Sequence, residues 1–151
     1  MPASFAFCRR LLLIGAVLLV AVALVIPWAV IPPVRADTFP GATPESAVPA
    51  FSIIVCFHVL AATVVGLTAA RITTVGRAWR PLILVPLALL VLLSAYALEE
   101  PGRAYSREGP AMQTASVFLL ACAASDLVAA VLMMTAASLL PRRALSNRDD
   151  R

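Results

Sequence analysis

The chain has 151 residues, of which 62% are hydrophobic and 13% charged, with a mean hydropathy of +0.95. That composition excludes an ordinary soluble globular domain and reads as an integral membrane protein. All twelve basic residues are arginine, and they stand at the ends of apolar segments with no aromatic-interleaved stripe, so no nucleic-acid partner is expected.

The first apolar stretch, residues 11–31, follows Arg9 and Arg10 and is long enough, at 1.5 Å per residue, to cross about 30 Å of hydrocarbon. The arginine pair, the apolar run and Val34-Arg35-Ala36 also imitate a secretory signal peptide. The run exceeds the roughly 7 to 15 residues of a signal-peptide core, which favours a retained helix. Cys8, just before it, follows Phe-Ala-Phe and lacks the small-residue context of a lipoprotein cysteine. Residues 32–47 then form an outer loop, in which Pro32, Pro33, Pro40, Gly41 and Pro44 predict a stiff, extended and turn-rich connector.

A second span covers residues 48–70 and holds His58, the only histidine. A short loop, residues 71–80, carries Arg71, Arg77 and Arg80. The third span, residues 81–98, opens on Pro81, and Pro86 predicts a kink near its start. A second outer loop, residues 99–111, is bracketed by the turn signals Pro101-Gly102 and Gly109-Pro110 and carries Glu99, Glu100, Arg103 and Glu108, read as a solvated charged surface. The fourth span, residues 112–140, holds Asp126 among Ala, Val, Leu, Ser, Cys and Met, and a polar tail, residues 141–151, ends the chain.

Four apolar spans predict an all-α membrane protein, because in lipid each segment must satisfy its own backbone and four spans are too few for a barrel. Nine arginines fall on one side of this arrangement and only Arg35, Arg103 and Arg107 on the other. The positive-inside rule then predicts a four-transmembrane-helix bundle with both termini cytoplasmic. Trp28 and Tyr96 near the outer boundary and Trp79 near the inner one agree as aromatic anchors. The arginine-only, Ala- and Pro-rich usage is read as the base composition of a GC-rich bacterium, which makes the bacterial cytoplasmic membrane the expected location.

An aspartate at the centre of a membrane helix costs about 2.5 to 3.5 kcal/mol on insertion scales, so Asp126 is expected to face protein. Counted from the start of each span, His58 lies ten residues in and Asp126 fourteen, a difference of about 6 Å on helices that run the same way. Residues four apart share a ridge. On the second span the ridge is His58, Ala62, Gly66 and Ala70, small enough for close helix approach, and on the fourth it is Phe118, Cys122, Asp126, Ala130 and Met134. The candidate site is an interior His58–Asp126 pairing. It acts either as a proton-accepting site or as a buried hydrogen bond that fixes register or docks a partner.

Cys8, Cys56 and Cys122 show no CxxC or metal-finger spacing and read as small buried hydrophobes. A metal or haem set of Cys56, His58, Cys122 and Asp126 with Met133 or Met134 fails on spacing, since residues two apart point to nearly opposite faces of a helix. No cofactor is expected. With no catalytic motif, the expected function is a non-enzymatic accessory or structural subunit whose partners are the bilayer and other membrane subunits or a second copy. The alternative is a small oligomeric proton-coupled transporter or channel using Asp126 and His58.

Overall fold

A computed structural model describes residues 3–35, 44–72, 79–106 and 110–139. The described chain is all helical: α1 (Ala3–Arg35), α2 (Pro44–Ala70), α3 (Trp79–Tyr105) and α4 (Pro110–Leu139). Each contains a stretch long and apolar enough to cross a membrane: Phe5–Trp28, Phe51–Ala70, Arg80–Tyr105 and Met112–Leu139. Prolines open α2 and α4 at Pro44 and Pro110 and lie in the first turn of α3 at Pro81, where the missing N–H is not needed by the helix.

Three helices run further than their prolines and glycines suggest. α1 continues through Pro32 and Pro33, α2 starts at Pro44 and passes Pro49, and α3 carries on through Pro101 and Gly102 to Tyr105. Proline's fixed φ is already helical, and near a helix end its missing donor costs little. At Gly102 tertiary contact adds a second reason. The Ser116 hydroxyl of α4 donates to the Gly102 carbonyl at 2.6 Å, and a Cβ at Gly102 would come within 3.1 Å of the Leu120 side chain. The turn-forming dipeptide is thus absorbed into a helix that presses on α4. Glu99, Glu100 and Arg103 consequently sit on α3 and not in a loop, with Arg103 paired to Glu99 one turn away. The expectations for Pro40, Gly41, Arg77, Arg107, Glu108, the Trp79 side chain and the tail lie outside the described residues.

α1 packs against α2 and α4, and α3 packs against α4, whereas α2 and α3 barely meet. The diagonals of the bundle are therefore α1 with α3 and α2 with α4. Buried positions recur every 3.5 residues on average. On α4 Met112, Leu119, Asp126 and Met133 stand seven apart, and on α2 His58 and Val65 do so, continued by Ile72 in the turn that follows, with small residues between them. On α3 the series is Leu84, Val91 and Leu98. This is the spacing of left-handed knobs-into-holes packing.

The core divides into two apolar clusters. One gathers Leu12, Leu19, Val65, Leu84, Val91 and Met133 from the N-terminal parts of α1 and α3 and the C-terminal parts of α2 and α4. The other gathers Val22, Ile26, Leu98, Met112 and Leu119 from the opposite ends. That distribution makes neighbouring helices antiparallel. Between the clusters lies a polar layer.

Candidate functional site

The polar layer is built from His58 and Asp126, each at a core position of its helix and each without exposed surface. The His58 Nε2 lies 3.0 Å from Asp126 Oδ1 and 2.9 Å from Oδ2, and Nδ1 lies 2.7 Å from the Ile54 carbonyl one turn earlier on α2. The Phe57 ring stands edge-on to the imidazole, with centroids 5.4 Å apart and planes at 82°. The contact spans a diagonal of the bundle, between two helices whose backbones do not otherwise approach. Because α2 begins at Pro44 and α4 at Pro110, His58 is fourteen residues into its helix and Asp126 sixteen. The axial offset shrinks to about 3 Å.

Hydrogen-bond chemistry limits what protons this arrangement holds. A carbonyl oxygen only accepts, so Nδ1 carries a proton and donates it to Ile54. Nε2 faces two carboxyl oxygens, and a single further proton completes the contact from either side. The pair is an imidazolium against a carboxylate, or a neutral imidazole accepting from a carboxylic acid. The Ser94 hydroxyl of α3 sits 3.5 Å from Nε2, at the outer limit of a hydrogen bond. It joins a third helix to the layer.

Of the other residues singled out in the sequence, Ala62, Cys122 and Ala130 are buried in the bundle. Gly66 and Ala70 are not part of a close contact. A Cβ at Gly66 would meet nothing within 4 Å, and Ala70 is exposed, as are Phe118 and Met134 at the ends of the other ridge. The reason is rotational. Each four-residue step turns a helix about 40° off its starting face, whereas a seven-residue step returns to within about 20°. A ridge of fours therefore leaves the 3.5-residue seam within two steps.

Cys56 corrects the expectation of three buried thiols: it is exposed, whereas Cys8 and Cys122 are buried, and all three are free. Among the described residues no group of three or more His, Cys, Asp or Glu side chains is placed to hold a metal. The hydroxyls of Thr63, Thr68, Ser125 and Thr135 each donate to the carbonyl four residues earlier, at 2.8 to 2.9 Å, and so are satisfied by their own helices.

Sequence reasoning missed Ser94 and Ser116. Ser116 shares a seven-residue register with the buried Ala123 and Ala130, which separates it from Ser125 and Thr63, whereas nothing in the spacing along α3 marks Ser94. The sequence matches no protein-family model, and no curated protein or solved structure is significantly similar to it.

Proposed function

We propose that this chain is a multi-pass protein of the bacterial cytoplasmic membrane, with both termini cytoplasmic, that works without catalysis as an accessory or structural subunit of a larger membrane complex. One observation carries the reading: the mid-bundle ionisable pair is satisfied wholly within the chain and exposes no surface, while all four helices turn large apolar side chains such as Val17, Leu60, Leu93 and Val131 outward. A sealed pair suits register specification, the best-attested use of buried polar groups in bundles. Outward apolar faces of this extent suit lipid or partner helices. Purification in mild detergent from the native host, followed by native mass measurement, is expected to give a stoichiometric complex with chains of other mass.

The proton-coupled transporter or channel remains the second reading. It is favoured by the single proton that either His58 or Asp126 can hold. A clean homo-oligomer that moves protons in liposomes, and stops doing so in Asp126→Asn, would replace the accessory reading with this one.

Orientation rests on the arginine distribution. A green fluorescent protein fused after Arg151 is expected to fluoresce and alkaline phosphatase at the same place to stay inactive, with the pattern reversed for fusions within residues 36–43. Active phosphatase at the C-terminus would invert the proposed topology.

A further inference from the structure

At the end of the bundle where α1 begins and α2 finishes, a cleft of about 340 Å³ opens between the two helices. Its walls include Phe5, Arg9, Arg10, Leu13, Ala70 and Ile72. The two arginines are exposed, and neither forms an ion pair among the described residues. A third guanidinium stands behind the cleft wall: Arg80, itself buried, lies with its Cζ 5.6 Å from the centroid of the Phe5 ring. No described carboxylate lies at this end of the bundle.

The cleft is amphipathic along the helix axes. Arg9 and Arg10 are its charged groups, Leu13 continues it into the apolar stretch of α1, and Ala70 stands where that of α2 ends. A guanidinium binds a phosphate through a planar fork of donors, and two adjacent forks without internal counter-charge present a phosphate site. Free phosphate would use only the arginines. A phospholipid would use both parts, its phosphate on the arginines and its acyl chain along Leu13. Basic pockets between helices on the cytoplasmic side of a membrane take anionic headgroups for these reasons.

We propose that this cleft is a binding site for the phosphate headgroup of an anionic phospholipid of the inner leaflet. The inference rests on the membrane placement and orientation proposed above. It is tested on the isolated full chain, so absence of a partner subunit leaves it untouched.

The experiment is native mass spectrometry of the chain in neutral detergent, with phosphatidylglycerol, phosphatidylcholine or inorganic phosphate added separately. Wild type is expected to hold one phosphatidylglycerol at least tenfold more tightly than phosphatidylcholine. Arg9→Gln with Arg10→Gln is expected to weaken phosphatidylglycerol by about fivefold per arginine, or roughly 25-fold together. Leu13→Trp keeps every charge and fills the apolar part, so it tests the same cleft should the arginine variant not hold its fold. It is expected to weaken the lipid and leave inorganic phosphate unchanged.

Equal retention of the two lipids, or unchanged phosphatidylglycerol binding in both variants, overturns the proposal. Inorganic phosphate that binds as tightly as the lipid and displaces it assigns the arginines to a soluble anion, which overturns the lipid source. None of these results bears on whether the chain co-purifies with other subunits.

Discussion

Replacing His58 by Ala is expected to lower the unfolding free energy by about 2 to 3 kcal/mol, and replacing Asp126 by Ala by only about 1 to 2. The asymmetry comes from the hydrogen bonds. Without Asp126 the imidazole still donates from Nδ1 to Ile54 and loses only the contact at Nε2. Without His58 the carboxyl group loses the only partner it has among the described residues, in a site with no exposed surface. The double replacement should cost less than the sum of the singles, by a coupling of about 1 to 1.7 kcal/mol.

That coupling is toward the top of the range found between membrane helices, where the mean is about 0.6 and the maximum about 1.7. A high value follows from the sealed geometry, which denies either group a water partner. Asp126→Asn should be mild, since an amide in the same place donates to Nε2 and keeps the packing. Reversible unfolding of purified protein in mixed micelles measures all four variants. Single losses that simply add, within about 0.3 to 0.5 kcal/mol, would mean that the two residues are not an energetic unit.

The parts of the fold legible in the sequence are those that depend on length and charge. Four apolar runs gave four helices of spanning length, and a lone carboxylate and a lone histidine at similar depth proved to face one another. What was not legible is which face of each helix turns inward. In soluble bundles polar residues mark the outer face, whereas here Val17, Leu60, Leu93 and Val131 are as apolar outside as Leu19, Val65, Val91 and Met133 are inside. With no amphipathic contrast, small residues at fours were the visible pattern, and the seam at sevens was hidden. Arg80 escaped for a related reason: its place over the Phe5 ring depends on how α1 meets α3 in space, which no spacing along the chain encodes. The prolines misled because the sequence does not show whether a helix has already made its last needed hydrogen bond, or whether a neighbour such as Ser116 adds a bond to the helix end.

Gly15 and Gly66 should respond oppositely to a large side chain. Gly15 is buried on α1, and a Cβ there would sit 3.8 Å from the Ala129 carbonyl oxygen of α4, an ordinary contact. Gly15→Ala should therefore be neutral or stabilising by up to about 1 kcal/mol, since alanine is the better helix former. Gly15→Leu has no room at that approach and should cost about 1 to 3 kcal/mol by forcing α1 away from α4. At Gly66 the Cβ meets nothing within 4 Å, so Gly66→Leu should carry no packing cost and gain up to about 0.8 kcal/mol from helix propensity.

The consequence at Gly15 reaches the polar layer. α2 and α4 lie on a diagonal and are held at their distance by α1, which packs on both. In lipid that packing is driven by van der Waals contact with little hydrophobic gain, so a wedge between α1 and α4 is not offset elsewhere. Displacing α1 should lengthen the His58–Asp126 contact, and the coupling measured between those two residues should fall in a Gly15→Leu background while persisting with Gly66→Leu. An undiminished coupling in Gly15→Leu would show that the pair holds the diagonal by itself. The sequence of cause would then run from the polar layer outward to the helices, and α1 would be a passenger on a two-helix core.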